Sequence, residues 1–579
     1  MNVDSLAILP ATGRPAPISR VRWLSLLATL LFPACLLADT TANPLLPESV
    51  LAAAEERIAE GHYQSLIIGI RDDERTEWTS VGRLSDGGPA PRSDTVYEIS
   101  SLTKPFTAAL LSLAAEEGLL SIDDTLAQHA PAERNLDRRL QDDVALWQLA
   151  THVSGLPDMP DDLSPDDPAR LFEDYSQDAL WQFLARHPLA GAPGASYGYS
   201  NLGYALLGGL LAETLGGPYG SLLRERITAP LGLDSTAVSP PASVLDRIAP
   251  GFDYDLKRAP AWHWPAFEAA GALRSTPEDL MQWVEAHLSP PDDELGRALH
   301  RLYQAELSLG DNGQSMGLGW QLQREDDDTL TVWHAGRSAG YAAFIAFQPE
   351  TRRAVVILAN TGNSVEQLGF AALDPQRAVQ AVRPVQALDR RLGALYAGRY
   401  RLSPGFVLTV RQTSSGLFIR APGRPPLRLY SVDGEHFFTR GVASELRFVA
   451  GADGAIEGME IHPPRGDVQF ANRMQRTESP ASREIRSLAP EQLADYAGTY
   501  QVNGDTVFDL RPDADRLLLT SGNGPAWPLY PSDDGRFFHR NQPLELHFTQ
   551  QDDGDPGDGL VLYRNGHRLE AQRVRDPRH

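Results

Sequence analysis

Lysine is almost absent from this chain. Of its 52 lysine and arginine residues, 50 are arginines, and only Lys104 and Lys257 are lysines. Arginine replaces lysine well as a surface charge, but it keeps its proton in proteins, whereas a buried lysine can release its proton. A lysine retained in such a background is therefore a candidate proton acceptor. The sequence around Lys104 supports that interpretation, whereas Lys257 is interpreted as a lysine without a functional role.

Cysteine and net positive charge are also lacking. The single cysteine is Cys35, so the chain has no second cysteine with which to form an internal disulfide. The formal net charge is −24, which argues against nucleic acid or an anionic membrane as a partner, because both require basic patches. We therefore expect no nucleic-acid partner and interpret the acidity as a solvated surface.

Long apolar runs are limited to one segment near the N-terminus. Residues 23–37 are apolar, but the run is too short for a comfortable membrane span. Arginines precede it and small residues follow it, an order typical of an export signal. We predict that residues 1–42 are a signal peptide with a short leader, and that the mature protein is in the bacterial periplasm or secreted. Lipid anchoring at Cys35 is an alternative, although residues 32–34 match the usual lead-in poorly.

The length of 579 residues exceeds what one hydrophobic core normally supports, so several domains are expected. In the first part, short apolar runs at both ends enclose a long helical region. We predict an α+β domain over residues 45–380, with an antiparallel sheet flanked by helices and a helical subdomain inserted. Its predicted elements are a hairpin (65–71 and 78–82), a helix (101–117) and a three-strand antiparallel meander (329–333, 341–347 and 354–359).

The remaining chain consists of short alternating segments and contains a repeat. Matches occur without a gap at an offset of 100 residues, among them Tyr396 with Tyr496, Tyr430 with Tyr530, and Phe448 with Phe548. Matches in a single register indicate a duplicated module. We predict two all-β domains, residues 385–475 and 491–579, each an antiparallel barrel closed on itself, with 476–490 as the linker.

Ser101 and Lys104 form an S-x-x-K sequence at the start of a predicted helix. Positions i and i+3 lie on one helix face, so the two side chains can touch. A buried lysine beside a serine can accept or relay the hydroxyl proton. The helix N-terminus also supplies N–H groups where negative charge develops during acyl transfer.

Two further segments carry polar groups suited to the same chemistry. Tyr199 and Asn201 open an apolar helical stretch; a tyrosine oxygen near a lysine can carry a proton, and an asparagine can bind both the lysine and a substrate amide. His334 and Gly336 end a predicted strand, where glycine lets a substrate backbone lie against the strand edge. Packing alone would also account for Tyr199 and His334.

These three motifs, in this order, resemble the family of serine β-lactamases, penicillin-binding proteins and their D-aminopeptidase and esterase relatives. The resemblance covers residues 48–378 and extends to the segments 149–157, 270–276 and 317–320. It implies a class C β-lactamase-like fold and hydrolysis through an acyl-enzyme, without metal or other cofactor. The two predicted barrels after the catalytic domain resemble the D-aminopeptidase architecture, where a barrel loop limits access to the site; a spacing or wall-binding role is the alternative.

The resemblance also implies a role for each matching residue. Ser101 is the implied nucleophile, and Lys104 and Tyr199 are the implied general base and proton shuttle, in an order left open. The implied substrate-binding groups are Asn201 for the amide, His334 and Gly336 at the strand edge, and Arg337, whose N–H completes an oxyanion hole with that of Ser101.

The third motif departs from the commoner pattern of the family. Many β-lactamases have Lys-Thr-Gly where this chain has His334-Ala335-Gly336, and the lysine form favours substrates with a carboxylate. The histidine form is similar to D-aminopeptidases and esterases. We therefore expect a small-molecule or peptide substrate, either a D-amino-acid peptide or amide or a carboxylic ester. The alternatives are a β-lactamase or a slow-turnover protein that binds penicillin or a cell-wall peptide.

One other motif offers a rival nucleophile. Ser338 lies in a Gly-x-Ser-x-Gly sequence, the nucleophile elbow of α/β-hydrolases, which must stand between a strand and a helix. Residues 341–347 are predicted as another strand, so an esterase using Ser338 is only a remote alternative.

Overall fold

The computed structural model describes residues 44–574 except for short gaps. The gaps are 74, 135, 137, 161, 164–171, 187–192, 196, 305–306, 310–313, 326, 404–405, 415, 422–425, 441–443, 452–453, 463–467, 475–484, 503–505, 522–525, 533–534, 540–543, 551–555 and 565–566. The predicted signal segment 1–42 and most of the predicted linker 476–490 therefore lie outside the described residues.

The first part of the chain contains both helices and strands. The helices are α1 (Glu48–Ala59), α2 (Thr103–Glu116), α3 (Arg138–Asp143), α4 (Leu146–Ala150), α5 (Gln177–Arg186), α6 (Asn201–Leu215), α7 (Tyr219–Leu223), α8 (Glu268–Gly271), α9 (Pro277–Leu288), α10 (Glu294–Arg301) and α11 (Glu366–Leu373). The strands are β1 (Ser65–Asp72), β2 (Arg75–Gly82), β3 (Tyr97–Glu98), β4 (Arg274–Ser275), β5 (Leu307–Ser308), β6 (Gln314–Met316), β7 (Gln321–Arg324), β8 (Leu330–Arg337), β9 (Ala342–Gln348) and β10 (Arg353–Ala359).

Eight of these strands form one antiparallel sheet in the order β2-β1-β10-β9-β8-β7-β6-β5, and β3 pairs with β4 separately. The predicted N-terminal hairpin is confirmed as β1–β2, and the predicted meander as β8–β9–β10. The first and last strands of this domain's chain path thus lie near one edge of the sheet, where β1 pairs with β10. The predicted α+β architecture is confirmed.

Helices cover both faces of the sheet. On β9, alternate side chains serve two cores: Ile345 packs on the side of α2 and α9, and Phe344 on the side of α1 and α11. Every residue of β9 is buried, as expected for a strand with both faces covered. On α2, Phe106 is fully buried and stacks on Trp283 of α9 with ring centroids 4.0 Å apart. This packing fixes the start of α2 against α9.

The remaining chain forms two closed eight-stranded barrels, as predicted. The first comprises α12 (Arg390–Tyr396), β11 (Gly398–Ser403), β12 (Phe406–Thr413), β13 (Gly416–Arg420), β14 (Leu427–Ser431), β15 (His436–Phe438), β16 (Glu445–Ala450), β17 (Ile456–His462) and β18 (Gln469–Arg473). The second comprises α13 (Pro490–Ala494), β19 (Gly498–Val502), β20 (Thr506–Asp513), β21 (Arg516–Ser521), β22 (Trp527–Pro531), β23 (Phe537–Phe538), β24 (Leu544–Gln550), β25 (Pro556–Arg564) and β26 (His567–Arg573).

The repeat seen in the sequence recurs as identical contacts. The Tyr400 hydroxyl donates to the Tyr396 carbonyl oxygen at 2.6 Å, and the Tyr500 hydroxyl donates to the Tyr496 carbonyl oxygen at 3.0 Å. Each bond ties the first barrel strand to the segment before it, at the end of α12 in the first barrel and just after α13 in the second. No helix among the described residues is long and apolar enough to cross a membrane.

The first barrel contacts the sheet domain through the end of β14. The Tyr430 hydroxyl lies 2.6 Å from Oδ1 of Asp255, which belongs to the loop after residue 251. That loop returns to the sheet, where the Phe252 N–H donates to the Gly340 carbonyl oxygen at 3.3 Å. The contact between the barrel and the sheet domain is therefore one short loop away from the turn between β8 and β9.

Candidate active site

The turn that carries Ser101 lies at the start of α2. Residues Ser100–Leu102 form one 3-10 turn that leads directly into that helix. Ser100 has a φ of 48°, in the left-handed region where non-glycine residues are uncommon. Such backbone conformations persist where the surrounding structure enforces them, often at functional sites. Here the Ile99 N–H is fixed on the Leu273 carbonyl oxygen at 3.0 Å.

Lys104 is fully buried one turn after Ser101. Its Nζ atom lies 3.2 Å from Ser101 Oγ, 2.7 Å from Asn201 Oδ1 and 2.9 Å from the Ala270 carbonyl oxygen. Burial lowers the pKa of Lys104 from 10.5 to about 7, against an opposing effect of Asp158. A neutral amine has two N–H groups, which match the two carbonyl oxygens, and one lone pair, which is then left for the Ser101 proton.

Tyr199 contacts the same serine. Its hydroxyl donates to Ser101 Oγ at 2.9 Å, and its ring centroid lies 4.8 Å from Lys104 Nζ. Burial raises the pKa of Tyr199 above its usual value of 10, so the phenol keeps its proton near neutral pH. The arrangement therefore sets a proton donor and a proton acceptor within hydrogen-bond distance of one hydroxyl.

Asn201 is held at both ends of its amide. Oδ1 accepts from Lys104, and Nδ2 donates to Oδ1 of Asp158 at 2.7 Å. The Asp158 contact orients the amide so that its oxygen faces the lysine. The amide nitrogen of Asn201 carries a second N–H, which can donate to a substrate carbonyl oxygen.

The end of β8 lies directly against the nucleophile turn. A Cβ atom on Gly336 would overlap the Ile99 carbonyl oxygen and approach the Ser101 amide nitrogen to 3.1 Å. Only glycine allows the two backbones to come this close. Gly336 therefore brings the edge of the sheet beside the amide N–H of Ser101.

The backbone N–H of Arg337 points toward an open edge of the sheet. The Ser338 N–H donates to the Tyr341 carbonyl oxygen at 3.0 Å and closes the β8–β9 hairpin. Hydrogen-bonded pairs alternate along an antiparallel ladder, so Arg337, opposite Ala342, directs its N–H away from β9. On that side β7 pairs with β8 only as far as Trp333. The N–H of Arg337 is thus available to a substrate oxygen, as the predicted oxyanion hole requires.

The Arg337 side chain does not share this direction. Successive side chains of a strand point to opposite faces, and Gly336 faces the nucleophile turn. Arg337 therefore leaves β8 on the face of Trp333 and Ala335, which pack on the α1 and α11 side. The sequence left this direction open; the register of β8 places the Cβ atom of Arg337 on the face opposite that of Gly336.

His334 lies on the nucleophile face of β8 and is buried. Its Nδ1 atom is 2.8 Å from the Ala335 carbonyl oxygen, so Nδ1 carries the ring proton. Burial, with a smaller effect of the Lys104 charge, lowers the pKa of His334 to about 3. The ring is therefore neutral at ordinary pH and offers Nε2 as an acceptor.

Ser338 does not lie in a nucleophile elbow. It is buried at the hairpin between β8 and β9, with strands on both sides and no helix after it. The remote α/β-hydrolase interpretation is therefore wrong. Among the described residues, no three His, Cys, Asp or Glu side chains come together as a metal site.

The site also contains groups that the sequence motifs did not single out. Asp158 orients Asn201, and the Ala270 carbonyl oxygen binds Lys104. His152, within the recognised segment 149–157, packs on Tyr199. A backbone carbonyl leaves no trace in the sequence, and the Asp158 and His152 contacts depend on how distant segments fold together.

We expect the substitution Gly336→Ala to lower kcat/KM by about 100-fold. The new methyl group would overlap the Ile99 carbonyl oxygen and push β8 away from Ser101, and a small misplacement of reacting groups lowers the rate strongly. Steady-state kinetics with an activated ester measures this. Ala335→Gly, which alters the opposite face of the same strand, serves as the control and keeps activity within about threefold. Equal kinetics for the parent protein and Gly336→Ala would contradict the assigned close approach.

The fold and this constellation together define a class: the protein is a serine hydrolase that works at a helix N-terminus beside an antiparallel sheet. Within that class, the chain belongs to the β-lactamase family, because the family model described as Beta-lactamase matches residues 50–376, more than half of its length.

Known proteins with similar sequences and folds fall in the same group. The D-alanyl-D-alanine-carboxypeptidase/endopeptidase AmpH of Escherichia coli (strain K12) is 26% identical over 345 residues, which cover 56% of this chain and 88% of that protein. Penicillin-binding protein 4* of Bacillus subtilis (strain 168) is 25% identical over 397 residues, 63% and 85% of the two chains. A β-lactamase/D-alanine carboxypeptidase from Pseudomonas syringae shares the fold, with a TM-score of 0.51, 22% identity, and coverage of 56% and 98%.

Proposed function

We propose that this protein is an exported hydrolase that forms an acyl-enzyme at Ser101 and acts on neutral amide or ester substrates. The substrate class is a D-amino-acid amide or a carboxylic ester with no carboxylate beside the bond that breaks. The direction of Arg337 carries this proposal, since that side chain leaves the strand on the face away from the nucleophile.

The proposed acylation step uses the proton acceptor Lys104 and the proton donor Tyr199, which both contact Ser101. Lys104 takes the hydroxyl proton as Oγ bonds to the substrate carbonyl carbon, and the N–H groups of Ser101 and Arg337 bind the oxygen that becomes negative. Tyr199 then gives its proton to the departing amine or alcohol and recovers one from Lys104. Water attacks the resulting ester by the reverse route and releases a carboxylic acid.

The order of proton transfers follows from the two pKa shifts. Burial lowers the pKa of Lys104 to about 7, so a large fraction of the amine is neutral at neutral pH. Burial raises the pKa of Tyr199, so the phenol is a poor first base and a competent donor. These shifts support Lys104 as the first proton acceptor, with Tyr199 acting on the leaving group.

The charges around the site support a neutral substrate. Lys104 is buried and turned toward protein carbonyl oxygens, and His334 is neutral. Neither offers a positive charge to a substrate carboxylate. Hydrolysis of a carboxylate-bearing peptide or a β-lactam is the second candidate function, which the names of the similar proteins favour.

A matched pair of substrates separates the two candidates. We would measure kcat/KM for a peptide ending in D-alanyl-D-alanine and for the same peptide as its C-terminal amide, with a p-nitrophenyl ester and a penicillin for comparison. We expect kcat/KM for the amide to equal or exceed kcat/KM for the acid, since no positive charge in the site binds the carboxylate. The substitution Arg337→Gln should leave the ratio unchanged.

A strong preference for the free acid that disappears in Arg337→Gln would contradict the proposal. The guanidinium would then bind the substrate carboxylate although its side chain leaves β8 on the face away from the nucleophile. An acyl adduct with penicillin that persists without turnover would favour the slow-release penicillin-binding alternative.

The first barrel is proposed to border the entrance of this site. The contact of Tyr430 with Asp255 lies one loop from the turn after Arg337, and Phe252 ties that loop to the turn. A spacing or wall-binding role for the barrels is the alternative. Export follows from the N-terminal segment alone and is part of the proposal.

A further inference from the structure

His152 contacts the segment around Tyr199 through its backbone and its ring. Its carbonyl oxygen accepts from the Gly198 N–H at 2.8 Å, and its Nδ1 atom accepts from the Ser200 N–H at 3.0 Å. These two bonds hold the residues immediately before and after Tyr199. One residue thus fixes the backbone on both sides of the tyrosine.

The His152 ring also packs on the Tyr199 ring. The centroids are 4.4 Å apart with an interplanar angle of 33°, and Tyr204 lies on another side at 5.1 Å. His152 is only 1% exposed. Aromatic pairs at this separation contribute beyond the area they bury, so the ring restricts the position of the phenol.

The backbone of His152 is strained in a way that this contact explains. Its φ is 61°, in the left-handed region that non-glycine residues seldom adopt. The strain is sustained where neighbouring contacts outweigh it. In this conformation the carbonyl oxygen and Nδ1 of one residue can both reach the segment 198–200.

The ring is neutral and has a defined tautomer. Because Nδ1 accepts a hydrogen bond, the ring proton is on Nε2. Burial, followed by the charges of Lys104 and His334, lowers the pKa of His152 well below its usual value. Protonation would remove the acceptor at Nδ1, so the hydrogen bond and the neutral state support each other.

We propose that His152 is a positioning residue for the hydrolytic reaction: it holds the Tyr199 hydroxyl at hydrogen-bond distance from Ser101. His152 touches Tyr199 and its neighbours, and it acts through them. This inference rests on the proposed function, in which Tyr199 donates a proton to the leaving group.

The test uses a probe that does not depend on the natural substrate. A fluorophosphonate reacts with an activated serine: the Ser101 oxygen bonds to phosphorus, fluoride leaves with the phosphorus–fluorine electron pair, and the serine proton passes to Lys104. We would measure the second-order labelling rate of the full chain against pH, together with ester hydrolysis.

The variants are His152→Asn and His152→Ala. Asparagine tolerates a positive φ and offers Oδ1 to the Ser200 N–H, but it lacks the ring. We expect ester kcat to fall about 10-fold in His152→Asn and about 100-fold in His152→Ala, with smaller changes in KM, because the phenol is misplaced. In His152→Ala, water entering the site lowers the pKa of Tyr199 toward 10, so activity is lost at lower pH on the alkaline side.

His287 provides the matched control. It is equally buried at 1% exposure, its Nδ1 contacts the Trp283 carbonyl oxygen at 2.9 Å, and its ring lies among aromatic side chains of the core. His287→Asn should lower the melting temperature and leave the alkaline limb of the pH profile in place.

Three results would overturn the inference. Unchanged ester kcat and alkaline limb in both His152 variants would exclude the positioning role. The same shift of the alkaline limb in His287→Asn would show that the shift comes from general destabilisation and not from the position of Tyr199. If the parent protein were not labelled at Ser101, the proposed function itself would fail and the inference with it; labelling of the parent protein separates that failure from the other two.

Discussion

Replacing Ser101 with alanine is expected to lower kcat/KM for every accepted substrate by about 10⁴-fold or more, while the melting temperature changes little. Alanine has no oxygen to form the acyl-enzyme, and nucleophile removal in other serine hydrolases leaves only the residual effect of binding and oxyanion stabilisation. Ser101 is partly buried and bonded to Tyr199 and Lys104, so its loss leaves both partners in place. Steady-state kinetics and thermal unfolding of the purified variant measure both quantities.

Ser338→Ala is the matched control for this experiment. Ser338 belongs to the rival motif, is buried beside the hairpin turn and carries the alternative nucleophile hydroxyl. We expect it to keep kcat/KM within about a few-fold of the parent value, as substitutions outside the reacting groups usually do. If Ser338→Ala lost activity and Ser101→Ala kept it, Ser338 would be the nucleophile and our assignment of Ser101 would be wrong.

Replacing Lys104 with methionine or with arginine is expected to lower kcat by about 10³-fold in both cases, because neither side chain can accept the Ser101 proton. Arginine keeps a positive charge and methionine does not, so equal losses identify proton transfer, and partial retention in Lys104→Arg would identify the charge. The parent protein should gain activity as the pH rises through about 7, the pKa to which burial lowers Lys104. An acidic limb at that pH that persists in Lys104→Met would contradict the assignment.

The same shift predicts an effect on stability. The pKa of Lys104 in the folded protein lies below its ordinary value of 10.5, so the unfolded chain binds more protons between about pH 7 and 10.5. The free energy of unfolding contributed by this group therefore rises with pH across that window, and it is lowest below pH 7. Lys104→Met lacks this dependence, and comparing denaturant unfolding of the two proteins at pH 6 and pH 9 isolates it.

The parts of the fold that repeat or alternate were predictable from the sequence. The meander β8–β9–β10 follows apolar runs separated by turn residues, and the duplicated barrels follow from matches at one offset. Strands β5, β6 and β7 were not predicted, because they are two to four residues long and too short to establish a period. The 3-10 turn at Ser100–Leu102 was also not predicted: the helix expected from residue 101 begins at Thr103, after that turn.

The site was predictable where chemistry-bearing residues stand in recognisable motifs. Ser101, Lys104, Tyr199 and Asn201 meet although 97 residues separate Lys104 from Asn201 along the chain. The sequence could not predict that Asp158 would orient the amide of Asn201 or that Ala270 would supply a carbonyl oxygen. Nor could it predict the direction of the Arg337 side chain, which depends on the register of β8 and decides the expected substrate charge.

The central claim is that an acyl-enzyme forms on Ser101, and intact-protein mass spectrometry tests it most directly. The full chain is mixed with a p-nitrophenyl ester and quenched in acid within the first turnovers. The intact mass is measured, and the modified peptide is then sequenced. We expect a mass increase equal to one acyl group, located on Ser101 and absent from Ser101→Ala. An adduct of the same mass on Ser101→Ala, or rapid hydrolysis by that variant, would contradict it.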